Sequence, residues 1–98
     1  MKVTLSSVAD LGLAIRAVRR HSKIRLDDLA AIAGVSKQFT SDVEYGKPSV
    51  QLGLVLKLLA ELGLTLSLDI PQQAQHELAS LREKSAALKK SESEHVRI

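Results

Sequence analysis

The fold of this chain is decided by residues 27–47, whose sequence is DDLAAIAGVSKQFTSDVEYGK. Its first part has apolar residues at helical spacing, which predict one face of a short helix: Leu29, Ala30, Ile32 and Ala33. Gly34 follows where a helix often ends in a left-handed residue, and Val35 can then enter the core. Ser36 is a good N-cap for a second helix. The stretch therefore predicts two short helices joined by a sharp turn.

The second helix has distinct inner and outer faces. Thr40 and Val43 recur on the inner face, and Gly46 ends the helix. Near its N-terminal end the outer face is polar and basic, with Lys37, Gln38 and Ser41. A helix-turn-helix presents a recognition helix to the DNA major groove in this way, and lysine and glutamine can pair with guanine and adenine. We therefore predict that these three residues contact double-stranded DNA; the alternative is an ordinary solvated helix face.

Length and charge fit a small DNA-binding domain. The chain has 98 residues and a net charge of +3, which allows one domain and a tail. Residues 1–48 contain eight basic and five acidic side chains, whereas residues 49–98 contain equal numbers of each. The excess positive charge therefore lies in the half with the helix-turn-helix, where it suits contacts with phosphates.

Several other classes of protein are disfavoured. The chain has no cysteine, and its three histidines are scattered, so we expect neither a metal site nor a cofactor. Adjacent Asp27 and Asp28 lack an accompanying nucleophile or base, so we do not expect an enzyme. The apolar stretch 52–68 is interrupted by Lys57 and Glu61, which argues against a membrane span. The N-terminal residues lack the apolar segment of a signal peptide, so we expect a cytoplasmic protein.

The remaining helices surround the central pair. Apolar periodicity predicts helices over about residues 7–20, 26–33, 37–45 and 50–62. Either Ser7 or Ser6 is the expected cap of the first helix, and Ser49 is that of the fourth. Residues 1–63 thus form the expected helix-turn-helix domain.

After Gly63 the apolar period changes to two, which predicts a half-buried strand over residues 64–70. The inward positions of this strand are Leu64, Leu66, Leu68 and Ile70. A lone strand leaves its backbone groups unpaired. Pairing with a second copy of itself is the straightforward solution, so we predict a homodimer held by these residues.

Residues 71–98 form the expected C-terminal region. Pro71 stops the strand, and a thin apolar stripe predicts a helix from Gln72 to about Lys90. This helix either folds onto its own dimer or binds a partner. Residues 91–98 are polar and are expected to be disordered when free, with Val96 and Ile98 as candidate anchors on a partner protein.

Residues 8–63 resemble the XRE family of helix-turn-helix regulators, which includes the lambdoid phage repressors. The motifs that carry the resemblance are Leu29-Ala30, Gly34-Val35-Ser36, Val43-Glu44-Tyr45-Gly46-Lys47-Pro48 and Leu62-Gly63. The resemblance implies an all-α, lambda-repressor-like domain, here followed by one β-strand that pairs across a homodimer and by a helical or disordered tail. It also implies repression of transcription from an operator that is an inverted repeat.

A narrower resemblance is to HipB-type antitoxins, through residues 35–39 and the predicted strand. In that group the strand pairs across the dimer. The antitoxin binds a HipA-type serine/threonine kinase toxin and represses their shared operon. The resemblance thus implies a HipA-like kinase partner, and a stand-alone XRE repressor without a toxin is the alternative.

The resemblance also assigns roles to single residues. Ser36 is implied to contact a backbone phosphate. Arg19 and Glu44 match a structural ion pair between the first and third helices. The family often has a phosphate-binding glutamine where this chain has Leu26, so that contact is either lost or moved to Arg25.

Two further charged residues, Asp42 and Lys47, lie near the end of the third helix. Lys47 is included among the candidate DNA-binding residues. Asp42 is not, because phosphates would repel its charge.

Overall fold

The computed structural model describes the backbone of residues 1–96 and the side chains of residues 1–89. The helices are α1 (Val8–His21), α2 (Leu26–Ala33), α3 (Lys37–Glu44), α4 (Leu52–Glu61) and α5 (Gln75–Val96), with a 3₁₀ turn over Gln72–Ala74. The prediction of an all-α fold is confirmed for this part of the chain. The described chain divides into two compact units, of which the first is Met1–Leu66 and the second begins at Ser67.

The core of the first unit lies between its four helices. Helix α2 packs against α3 and α4, and α1 packs against α3. The apolar side chains that the helices bury together are Ile15, Leu29, Ala33, Val43, Val55, Leu58 and Leu59. In α4 these residues follow the spacing of a single helical face, which is why one turn after another of that helix reaches the same core.

The turn between α2 and α3 has the geometry that its sequence predicts. Gly34 ends α2 in the left-handed region at φ 72°, where a residue with a side chain would be strained. Its N–H donates to the Ala31 carbonyl at 3.2 Å, and the Val35 N–H donates to the Ala30 carbonyl at 3.0 Å. These two bonds close the helix end and bring Val35 against the core. The predicted roles of Gly34 and Val35 are confirmed.

A close approach of α1 to α3 fixes the position of the third helix. Gly12 is buried in α1, and a Cβ atom at this position would overlap the carbonyl oxygens of Val43 and Glu44. The absence of a side chain therefore lets the backbones of the two helices meet. Nothing in the periodicity of the sequence marks Gly12 as this contact.

Helix α4 begins later than the sequence predicts. The expected cap was Ser49, with the helix starting at Val50; instead Gln51 occupies the cap position, without a side-chain hydrogen bond, and α4 starts at Leu52. The prediction for Ser49 is wrong because the chain first closes a turn, in which the Val50 N–H donates to the Lys47 carbonyl at 3.4 Å.

The predicted strand over residues 64–70 is not formed in the described chain, where these residues have no regular secondary structure. A strand requires hydrogen bonds from a neighbouring strand, and residues 1–96 contain no strand. Leu64, the first residue of this segment, contacts the first unit. Its N–H closes the end of α4 on the Leu59 carbonyl at 2.8 Å, and its side chain packs against the core of the first unit.

The second unit consists of the 3₁₀ turn and α5. The sequence predicted that the helix would end near Lys90, but α5 continues to Val96. No glycine or proline follows Pro71 in the sequence, so nothing in the chain terminates the helix at Lys90. Ile98, and the side chain of Val96, lie outside the described residues. None of the helices described combines the length and apolar character needed to cross a membrane.

Candidate nucleic-acid interface

Helix α3 is anchored at its N-terminal end by Ser36. The Ser36 Oγ accepts a hydrogen bond from the Phe39 N–H at 2.9 Å, and its carbonyl accepts one from the Thr40 hydroxyl at 3.0 Å. The predicted N-cap is therefore confirmed. Phe39 is half-buried and packs against the core. One end of α3 is thus held firmly, with Ser36 still exposed beside it.

The other end of α3 is held by an ion pair with α1. Arg19 Nε donates to Glu44 Oε2 at 2.6 Å, and Arg19 Nη2 donates to Glu44 Oε1 at 2.9 Å. The Glu44 side chain is only 2% exposed and that of Arg19 13%. Arg19 Nη1 also donates to the Ile24 carbonyl at 3.0 Å. The implied Arg19–Glu44 pair is confirmed, and it joins α1, α3 and the turn before α2.

Hydrogen bonding to Glu44 raises the pKa of the Arg19 guanidinium, against a smaller lowering by burial. The guanidinium of Arg19 is therefore charged near neutral pH. The two hydrogen bonds from Arg19 to Glu44 fix both the distance between the two side chains and their relative orientation. The ion pair therefore sets the orientation of α3 relative to α1.

The outward face of α3 carries the predicted base-contacting residues. Lys37 and Gln38 are exposed, and Ser41 is half-buried. The first two lie in the first turn of the helix, and Ser41 lies one turn further along on the same face as Lys37 and Gln38. The structure therefore brings these three side chains together on one surface.

The cations at the start of α2 and α3 share one carboxylate. Asp27 Oδ2 lies 3.5 Å from Arg25 Nη2 and 3.9 Å from Lys37 Nζ. Arg25 precedes α2 as its cap residue without a side-chain hydrogen bond to the helix, and its side chain is 77% exposed. Such exposed pairs contribute only about 0–1 kcal/mol. An incoming phosphate can therefore replace Asp27 as the partner of either cation.

A second carboxylate connects two other candidate residues. Gln38 Nε2 donates to Asp42 Oδ1 at 2.8 Å, while Lys47 Nζ lies 3.6 Å from Asp42 Oδ2. Sequence reasoning set Asp42 aside and missed both contacts. The spacing of Gln38 and Asp42, four residues apart on a helix, was the available signal.

Comparisons with known proteins agree with this architecture. Residues 15–68 match the family model described as helix-turn-helix. The chain is similar to the uncharacterized helix-turn-helix-type transcriptional regulator y4mF of Sinorhizobium fredii, with 39% identity over 71 residues that cover 72% of this chain and 93% of the relative.

Solved structures show the same fold. A chain of the HipA-HipB-O2-O3 complex matches with a TM-score of 0.66 and 22% identity, covering 72% of this chain and 100% of the other. The HipB-O4 20mer complex gives the same values, as does a structure called MDT Protein. At this identity the likeness is one of fold.

The four-helix arrangement, with Lys37 and Gln38 exposed on α3, defines a helix-turn-helix DNA-binding domain. The chain belongs to the XRE-type helix-turn-helix family of DNA-binding transcriptional regulators.

Proposed function

We propose that this protein is the antitoxin of a HipBA-type operon: a homodimeric repressor that binds its own operator and also binds and neutralises a HipA-like serine/threonine kinase. The observation that carries the proposal is the match of fold to a chain of the HipA-HipB-O2-O3 complex, over 72% of this chain. The alternative is a stand-alone XRE-type repressor with no toxin partner. Both accounts place the protein in the cytoplasm, on DNA.

Within this proposal the interface residues divide into two groups. Lys37, Gln38 and Ser41 contact base edges, since they share the exposed face of a firmly held helix. The second group contacts phosphates and consists of Arg25, Ser36 and Lys47. Lysine and arginine can exchange a surface carboxylate for a phosphate at little loss, and Ser36 lies exposed at the helix N-terminus, where anions are favoured.

The division is tested on an operator isolated from a pool of randomised duplexes with the wild-type protein. Gln38→Ala should weaken binding to this site by about 1–3 kcal/mol and relax selection at one base position in each half-site. Gln73→Ala is the matched control, because Gln73 is exposed and lies in the second unit. Equal losses on the selected site and on random DNA would contradict base reading by Gln38.

Arg25→Ala should behave differently. Loss of a phosphate contact weakens binding to all sequences and reduces the salt slope by about one. Arg82→Ala removes the same charge from an exposed position in α5, so it separates a local contact from the effect of net charge. A salt slope equal for Arg25→Ala and Arg82→Ala would remove Arg25 from the interface.

Dimerisation is proposed to occur through residues 64–70 of two copies. The exposed fractions are 45% for Leu66, 86% for Leu68 and 41% for Ile70, so each has apolar surface available for burial. Leu64 contributes through its contact with the core rather than through a free face. A two-fold dimer requires an operator with inverted half-sites, spaced about one helical turn or a multiple of it apart.

The toxin partner is tested by co-purification with the product of the adjacent gene. Capture of a kinase-like protein supports the antitoxin; capture of no kinase, with operator binding intact, supports the stand-alone repressor. Truncation after Lys90 should leave operator affinity unchanged and weaken the kinase complex in calorimetry, because Val96 and Ile98 are the proposed anchors. The full-length variant Val96→Ser/Ile98→Ser is the control for length. Equal kinase affinity for all three proteins would move the contact to the outer faces of α1 and α4, where Leu13 and Leu56 are exposed.

A further inference from the structure

We propose that Asp42 is a specificity-determining positioning residue that sets Gln38 to read adenine. The inference rests on the proposed function, in which α3 reads base edges. It goes beyond it by assigning a role to a carboxylate that does not itself contact DNA. The observation behind it is the hydrogen bond of 2.8 Å from Gln38 Nε2 to Asp42 Oδ1.

The chemistry of the two groups fixes the orientation of the glutamine amide. A carboxylate has only acceptor atoms, whereas the amide has a donor end, Nε2, and an acceptor end, Oε1. The Nε2 end must therefore face Asp42. The second Nε2 hydrogen and the Oε1 atom of Gln38 are then left for other partners.

This remaining pair matches one base in the major groove. Adenine offers an acceptor at N7 and a donor at N6, and glutamine binds both at once when its donor and acceptor are presented together. Guanine offers two acceptors, N7 and O6, so it leaves the Gln38 Oε1 without a donor. Asp42 thereby favours adenine over guanine at the position that Gln38 reads.

Lys47 explains how a carboxylate is tolerated near phosphates. Its Nζ lies 3.6 Å from Asp42 Oδ2, on the oxygen that Gln38 does not use. The Asp42 side chain is 26% exposed, against 58% for Lys47. The cation therefore lies toward solvent, where its three N–H donors can contact Asp42 and a phosphate together, and Asp42 keeps its other oxygen for Gln38.

The test measures base discrimination at each position of the selected operator, with single base-pair substitutions. In Asp42→Ala, discrimination at the Gln38 position should fall roughly twofold to tenfold, the range for losing the order of one side chain, and other positions should be unchanged. Asp42→Asn keeps an oxygen that can accept from Gln38, so its discrimination should be preserved. Because both variants remove the negative charge, both should bind random DNA more tightly than the wild type.

The two variants and a double variant separate positioning from stability. In a Gln38→Ala background, Asp42→Ala should cause no further change in discrimination. If Gln38→Ala relaxes selection, two results for Asp42→Ala would refute the positioning role while leaving the proposed function in place. One is base discrimination equal to that of the wild type, and the other is a uniform loss of discrimination at every position. A wild-type protein that selects no sequence refutes the proposed function, and the positioning role with it.

Discussion

Arg19→Met is the substitution that most directly tests how α3 is held. It removes the guanidinium while retaining an unbranched side chain, and it leaves Glu44, 2% exposed, without its cation. Removing one partner of a buried ion pair costs about 3–5 kcal/mol, because the other charge stays buried and uncompensated. A first unit of 66 residues has a total stability of roughly 3–10 kcal/mol at ~0.05–0.15 kcal/mol per residue. The substitution should therefore remove a large part of the stability of the domain.

Thermal unfolding followed by circular dichroism measures the effect. At about 4–8 °C per kcal/mol for a domain of this size, the midpoint should fall by at least ~12 °C. Arg20→Met is the matched control, since Arg20 is the exposed neighbour on the same helix and its loss should change stability by less than about 0.5 kcal/mol.

A double variant distinguishes charge pairing from packing. Arg19→Met/Glu44→Leu removes both charges and should recover much of the lost stability, because apolar replacement of a buried ion pair is often neutral or stabilising. A loss below about 1 kcal/mol in Arg19→Met would equal that of a surface pair and would refute the reasoning.

Four further outcomes follow from the backbone and from the proposed dimer. Lys23→Gly should raise stability by about 1 kcal/mol in urea unfolding, because Lys23 adopts φ 58°, a left-handed conformation that favours glycine; a decrease would contradict this. Gly46→Ala should lower the free energy of unfolding by about 2 kcal/mol or more. Gly46 has a φ of 77°, and a Cβ atom there would lie 2.7 Å from a backbone atom of α1. Leu66→Pro should abolish the dimer seen by light scattering, and Leu66→Val, which keeps the amide, should not; an unchanged dimer mass for the proline variant would exclude the paired strands. The side-chain hydrogen bond from Ser6 holds the pKa of Asp10 below its ordinary value. The stabilisation by ionised Asp10 is therefore present above the ordinary pKa and is lost as the pH falls through the lowered pKa. The melting temperature of Asp10→Asn should decrease less on acidification than that of the wild type.

The parts of the fold that the sequence predicted depend on local signals. The cap at Ser36, the helix end at Gly34 and the apolar face of α2 each involve residues only a few positions apart in the sequence. Helix α2 was accordingly predicted with its observed bounds, Leu26–Ala33. The approach of α1 to α3 at Gly12 was not predicted, because it depends on a helix distant in the sequence. The start of α4 was wrong for a related reason: the turn before it competes with the cap that Ser49 offers.

The sequence predicted which residues form the candidate site but not the contacts between their side chains. Sequence reasoning placed Lys37, Gln38 and Ser41 on one outward face, which requires only helical spacing. It did not find that Asp27 lies within 3.9 Å of Lys37, because this contact joins the starts of two helices whose relative position is set by the core. The residue types therefore predicted the chemistry of this surface. The ion pairs between its side chains could be found only from the folded structure.

This internal pairing bears on how the proposed interface balances affinity against specificity. Asp27 neutralises cations that phosphates would otherwise attract, so it lowers affinity for every DNA sequence alike. Asp42 lowers non-specific affinity in the same way through Lys47, while its other oxygen orders Gln38 for a base contact. What matters for a regulator among many competing sites is the ratio of specific to non-specific binding. Asp27 weakens binding to all sequences alike and so leaves that ratio unchanged, whereas Asp42, which also orders a base-reading side chain, increases it.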